Sequence, residues 1–273
     1  MIQYRNGKRY SGYEYFLFAI HFKLMHICRY KTIKIEVEPV RYFTSDTHFN
    51  HPKTAEMRGY LLDSAPHRDE IIDLISKHPA APFIRWSLDD AAFHDSIGLP
   101  YTETGDTTRH DDEVIASINA VVGKNDELWI IGDATDGDFS VLDRIDCDRI
   151  NLVVGNHDAC FYDRSKLLDY LDAFDTVYED YAVLDDFPGF EGHTVKLCHF
   201  PYGEHDYKVA GELPIPTRDT DALVYGHMHY TNFDRWRDEM ALHVGWDAWH
   251  RPVSEKEIGS LLALWYGETG EQK

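Results

Sequence analysis

The chain has 273 residues, 43% of them apolar and 14% aromatic, enough for one large domain with a substantial core or for two small ones. Its 27 Lys and Arg stand against 48 Asp and Glu, a formal net charge of -21. A surface so acidic repels a phosphate backbone, which argues against nonspecific binding to long nucleic acid; a ligand bearing phosphate would need a local positive centre, and a metal ion supplies one.

Residues 1–38 differ in balance from the rest, with seven Lys and Arg against three acids, and are expected to form an N-terminal extension to a domain spanning 39–273. Their aromatic stretch, "YEYFLFAIHFKLMHICRY", carries Glu14, His21, Lys23, His26 and Arg29. It is too polar for a membrane span and has no small-residue cleavage site. "TIKIEVEP" then alternates like a half-buried strand ending at Pro39. The cysteines Cys28, Cys147, Cys160 and Cys198 form no C-x-x-C pair, so they are expected to be reduced thiols of a cytoplasmic protein.

From Val40 onward five short apolar runs, rich in β-branched and aromatic residues, predict buried strands: "VRYFTS", "ELWIIG", "INLVVG", "TVKLC" and "ALVYG". Between the first two, "HRDEIIDLISKH" predicts a helix inside a segment, 62–107, whose Pro- and Gly-containing stretches suit an insertion acting as a lid. "RHDDEVIASINAVVG" predicts a second helix, with apolar Val114, Ile115, Ile118, Val121 and Val122 on one side and Gly123 at its end. "DRSKLLDYLDAF" predicts a third. "DEMALHVGWDAWH" reads as a strand beside the fifth run, with His243 structural. Strands alternating with helices imply an α+β chain built in α/β-type layers.

Each of the five strands ends in residues that bind metals. The first leads to Asp46 and His48, the second to Asp133, the third to Asn156 and His157, the fourth to His199, and the fifth to His227 and His229. Ligands gather at the carboxyl ends of strands in open layered sheets, and residues two apart in an extended segment point the same way. Imidazoles and carboxylates without thiolate suit Mn, Fe, Zn or Ni. With His157 left to face the substrate, the seven remaining candidates are too many for one tetrahedral ion and suit two divalent ions, with manganese the first choice.

In this order, D-x-H, G-D, G-N-H-D, a lone His and G-H-x-H resemble the calcineurin-like metallophosphoesterase superfamily, and "FTSDTHFNH" with "HVGWDAWHRPVSEKEI" resembles a small bacterial and phage branch of it. The resemblance runs from Val40 to Ile258, the 62–107 segment excepted. It implies a four-layer αββα sandwich with two mixed β-sheets. It implies that Asp46, His48 and His229 hold one ion, that Asn156, His199 and His227 hold the other, and that Asp133 bridges them. His157 would be the catalytic histidine, with Asp158 orienting its ring. The implied reaction is hydrolysis of a small phosphate ester by direct attack of a hydroxide shared by the two ions. One departure bears on the substrate: phosphatases of this superfamily resemble G-D-x-V-D-R-G after the bridging Asp, whereas this chain reads "GDATDGD", with Gly137 in place of the Arg that grips phosphate. A phosphodiester is therefore favoured, with a phosphomonoester, or a non-catalytic metal-binding interaction module of the same fold, as the alternative. His51, Arg58 and His205 are further candidates for substrate contact.

Overall fold

In the computed structural model the described residues are 3–5, 8–10, 38–66, 68–77, 104–203 and 215–270. The chain divides into two compact units, Met1–Glu38 and Pro39–Lys273. In the first, β1 (Gln3–Arg5) pairs antiparallel with β2 (Lys8–Tyr10). The strand expected in "TIKIEVEP" lies outside the described residues.

The second unit is α+β, with two mixed sheets. The larger has five strands in the order β11-β3-β4-β5-β6: β3 (Arg41–Thr44), β4 (Glu127–Ile131), β5 (Ile150–Val153), β6 (Thr176–Tyr178) and β11 (Val253–Ser254). Only β11 runs antiparallel to its neighbour. The smaller has the order β10-β9-β8-β7, from β7 (Ala182–Leu184), β8 (Val195–Leu197), β9 (Ala222–Tyr225) and β10 (Ala241–His243). There β8, β9 and β10 are parallel and β7 is antiparallel. In both sheets the strands that precede the candidate ligands are parallel neighbours, so their carboxyl ends lie side by side.

The two-residue alternation of strands divides the core. Leu128, Ile130, Ile150 and Leu152 face a cluster built with Val114, Ile115 and Ile118 of the helix Thr107–Asn119 and with Tyr170 of the helix Leu167–Ala173. Phe43, Trp129, Ile131 and Val153 face the other way, into an apolar layer shared with Val195, Leu197, Ala222, Val224 and Leu242 of the smaller sheet. Ile258, Leu262 and Trp265 of the helix Glu255–Gly270 complete that layer. Burying each of these large side chains contributes roughly 1.5–3 kcal/mol. The outer face of the smaller sheet, with Leu223, Tyr225 and Ala241, is covered by Phe200, Tyr202, Met228 and Tyr230 from loops. Among the described residues no helix lies over it, so the helical fourth layer is not seen there.

The helix Thr107–Asn119 starts where Asp106 caps it, accepting the Arg109 backbone N–H at 3.1 Å, and ends at Ala120. Just before it, Leu61 bridges Gly105, and the Leu62 N–H donates to the Thr104 carbonyl at 3.0 Å. The two ends of the 62–107 segment are thus tied together, with the helix Arg68–Lys77 between them. The strand expected over "DEMALHVGWDAWH" is shorter than its pattern: it stops at His243, and Trp246–Trp249 turn into a short helix. The cause is the Gly245 backbone, which bridges Ser45 while the Trp246 N–H donates to the Ser45 carbonyl at 3.0 Å. Among the described residues no helix is long and apolar enough to cross a membrane, and Cys147 and Cys160 carry free thiols.

Candidate metal centre

The loops leaving β3, β4, β8 and β9 are zipped together by their own backbones. The Asp46 N–H donates to the Gly132 carbonyl at 3.0 Å, the His48 N–H to the Asp133 carbonyl at 2.9 Å, and the Gly226 N–H to the His199 carbonyl at 3.1 Å. The approach is tight enough to demand glycine: a Cβ at Gly132 would lie 2.2 Å from His199 Nδ1, and one at Gly226 would lie 1.8 Å from Ser45 Oγ and 2.6 Å from Asp46 Oδ2. The residues that follow pay for this crowding in their backbone. Asp46, His48, Asp133, His227 and His229 all take positive φ, between 44° and 67°. Such settings cost a non-glycine residue about 1–2 kcal/mol each and cluster where function requires them.

Two groups of ligand atoms result, each within 4.8 Å of one another: Asp46, His48, Asp133 and His229, and Asp133, His199 and His227. All six residues are buried, from 0% to 9% exposed. Asp133 belongs to both groups through one atom. Its Oδ2 lies 3.5 Å from His48 Nε2 and 3.3 Å from His199 Nε2, and it accepts no hydrogen bond. Its Oδ1 is used differently, accepting the His157 backbone N–H at 2.8 Å.

The hydrogen bonds behind the imidazoles fix which nitrogen is left for a ligand. His199 Nδ1 donates to the Ile131 carbonyl at 2.9 Å, so Nε2, which faces Asn156 Oδ1 at 3.2 Å, is the nitrogen whose lone pair is freed for a ligand when the imidazole gives up its second proton. His229 Nδ1 donates to Asp247 Oδ2 at 2.8 Å, so its Nε2 lone pair faces His48 Nε2 at 3.1 Å and Asp46 Oδ1 at 3.5 Å. Lone pairs and carboxylate oxygens converging in a buried space repel unless a proton or a cation lies among them. Burial pushes the Asp46 carboxyl up and holds the His48 and His227 imidazoles well below their ordinary value, which keeps them neutral and ready to coordinate. Burial would also lower His199, but the Asp133 carboxylate beside it wins and pushes it up to about 9. Asp133 itself is held well below the usual carboxylate range, His199 outweighing the effect of burial. These buried Asp and His groups are therefore a site able to hold metal ions.

No family model matches the chain. The Gene 66 protein of Mycobacterium phage L5 is 31% identical to it over 179 residues, covering 60% of this chain and 86% of that protein. The Gene 66 protein of Mycobacterium phage D29 is 32% identical over 160 residues, covering 52% of this chain and 77% of that one. The chain belongs to the family of these phage Gene 66 proteins. A protein of unknown function from Aquifex aeolicus, solved by crystallography, aligns over 82% of this chain and 99% of its own at 20% identity, with a TM-score of 0.47, a likeness too loose to carry an argument.

In this member of the Gene 66 family the other candidate residues have varied places. His157 is exposed at the mouth of the centre, its ring 5.2 Å from that of His48 and 5.6 Å from that of His51. His51 is half-buried and its Nδ1 accepts the Thr54 N–H at 3.1 Å, capping the helix Pro52–Met57. Asp158 does not orient the His157 ring. Its carboxylate accepts the backbone N–H groups of Asp133, Ala134 and Gly155 at 3.0, 2.9 and 2.7 Å, bracing two of the ligand loops. Burial and the Asp133 charge push that carboxyl up to about 7, while the Gly155 and Ala134 donors pull it down. Arg58 is not poised to grip phosphate either: its side chain is 3% exposed and forks onto Asp247, at 3.1 and 2.7 Å. His205 lies outside the described residues. Asp247 is the functional residue that spacing alone does not reveal. It comes after the last motif and meets His229 only through the fold.

Proposed function

We propose that this Gene 66 family member is a metal-dependent phosphoesterase of the calcineurin-like type. It would hydrolyse a small phosphate ester at a pair of divalent ions, with manganese the first candidate. The observation that carries this reading is Asp133 Oδ2: a buried carboxylate oxygen without a hydrogen bond, common to two clusters of imidazole and carboxylate ligands. A carboxylate in that position suits a bridge between two cations. The donor set fits the group, since His199 and His229 each direct Nε2 inward and no thiolate is present among the ligands. Asp46, His48 and His229 would hold one ion and His199, His227 and Asn156 the other. Bound there, the ions would supply positive charge for phosphoryl oxygens and acidify a water enough to make it a nucleophile at neutral pH.

The remaining chemistry falls to the chain itself. His157 is held over the centre because its backbone N–H is pinned to Asp133 Oδ1, and its exposed imidazole is the group placed to give a proton to the leaving oxygen. His51 flanks it, and since its Nδ1 already caps a helix, substrate contact from this ring would come through Nε2. Asp158 keeps the β4 and β5 loops at fixed separation. The preference for a diester rests on Gly137, which stands where related phosphatases place an Arg. Its φ of +91° is a setting that a larger side chain adopts only under strain. The helical fourth layer of the metallophosphoesterase sandwich belongs to this proposal as well.

The test is hydrolysis of bis(p-nitrophenyl) phosphate and p-nitrophenyl phosphate by purified protein loaded in turn with manganese, iron, zinc and nickel. Turnover that favours the diester and is lost in Asp133→Asn is the expected result. No turnover of either ester by the manganese-loaded protein would contradict the enzymatic reading.

A further inference from the structure

We infer that Asp247 and Arg58 are positioning residues for one of the two metal positions, the one formed by Asp46, His48 and His229, and not for the other. The inference rests on the proposed metal centre and goes beyond it by assigning a task to two residues that touch neither metal nor substrate. Asp247 accepts from His229 Nδ1 at 2.8 Å through Oδ2, which fixes the imidazole with its Nε2 directed inward. A carboxylate behind a ligating histidine sets both the tautomer and the ring angle.

Asp247 is in turn gripped by Arg58, Nε to Oδ1 at 3.1 Å and a terminal nitrogen to Oδ2 at 2.7 Å, the two-pronged match that only a guanidinium makes. The same guanidinium donates to the backbone carbonyls of Asp46 at 2.7 Å and Thr47 at 3.3 Å. Arg58 thus ties a ligand of the last motif to the loop that carries the ligands of the first. Its remaining donor reaches His110 Nε2 at 2.8 Å, so His110 must donate from Nδ1, and Asp111 Oδ1 accepts at 2.7 Å. Asp111 Oδ2 accepts the Asn50 N–H at 3.0 Å, closing the network on the far end of the same loop. The Trp246 ring, 5.0 Å from the guanidinium carbon, covers the Arg from the side. The side chains of Arg58, Asp247, His110 and Asp111 are buried, and their links end on His229 and on the loop that carries Asp46 and His48. His199 is backed instead by the Ile131 carbonyl.

The test is titration of manganese alone into the full-length chain, followed by calorimetry and by electron paramagnetic resonance. In Asp247→Asn one of two ions should bind about 10- to 100-fold more weakly while the other is unchanged. The spin-coupled signal of the pair should give way to that of an isolated ion. In a His199→Ala background Asp247→Asn should still weaken the ion that remains; in a His229→Ala background it should add nothing. Arg58→Lys keeps the charge but not the fork, and should give the same selective loss at smaller amplitude. Should Asp247→Asn fail to fold, Arg58→Lys decides alone. Two ions bound as tightly in the folded variants as in the original chain, or both weakened equally, would overturn the assignment of these residues. A parent chain that takes up no manganese would instead overturn the metal centre itself.

Discussion

The two halves of the centre are built to different standards. Around Asp46, His48 and His229 the protein has spent a buried arginine, two further carboxylates, a histidine and an indole to fix three ligands. On the other side His199 Nδ1 donates to the Ile131 carbonyl, Asp158 braces the β4 and β5 loops, and the third ligand candidate, Asn156, is only half-buried. The difference teaches where rigidity is needed and where access is needed. A deeply networked half is built to keep its geometry, whereas under the proposed function the more open half, with the half-buried Asn156, is the one a substrate would meet more easily.

The most severe way to break this comparison is to remove what the halves share. Asp133→Asn keeps the shape but discards the charge of the common oxygen, so both metal positions should empty together and hydrolysis should fall by about a hundredfold or more. Elemental analysis of the purified variant beside the parent checks it, and retention of two ions would refute the bridging role. His157→Ala removes the exposed ring at the mouth of the centre and no candidate ligand. Metal content should stay at the parental value while kcat falls by about 10²-fold or more, the measure of a lost proton donor.

Two glycines separate the halves more finely. Ala at Gly226 drives a methyl onto Ser45 and Asp46, whereas Ala at Gly132 drives one onto His199. Each should cost about 1–3 kcal/mol of folding stability by overpacking. Manganese titration should show Gly226→Ala weakening the networked position and Gly132→Ala the open one; the same loss from both would erase the distinction. The mildest contrast is with pH. His199, raised to about 9 from an ordinary 6.5, is protonated in the metal-free protein at neutral pH and must lose that proton to bind. Affinity at the open position should therefore climb with pH up to about 9, by at most about tenfold per unit. Between pH 7 and 9 His48, held well below its ordinary value, gives the networked position no such slope. The sign reverses for the metal-free fold. The stability contributed by the His199 proton is fully present below 6.5 and lost as pH rises through about 9, which thermal unfolding without metal would detect.

The parallel strands and the ligands were legible in the sequence for a single reason. A buried strand writes a continuous apolar run, and the residues just past its end are those that the sheet presents together. "ELWIIG" before Asp133 and "ALVYG" before His227 carry both signals within a few letters, and the structure brings Asp46, His48, Asp133, His199, His227 and His229 into two overlapping clusters. What spacing could not show is which partner each polar residue finds. Arg58 and Asp247 are 189 positions apart, and nothing near either announces the other. From the sequence Arg58 is therefore only a cation near the first motif and a candidate for substrate contact. Asp158 misled for the opposite reason: its nearness to His157 in sequence suggested contact, while the turn at Gly155 directs the carboxylate to backbone N–H groups instead. The strand expected over "DEMALHVGWDAWH" stops early for a reason of the same kind: the Gly245 contact with Ser45 that ends it is tertiary.

The claim on which all of this depends is that Asp133 sits between two cations. The most direct measurement is an anomalous difference map from manganese-soaked crystals, collected above and below the manganese edge. Two peaks about 3.5–4 Å apart, one beside Asp46, His48 and His229 and the other beside His199 and His227, with Asp133 between them, are the expected result. A map with no peak at these residues, or a single peak that Asp133 does not touch, would contradict it.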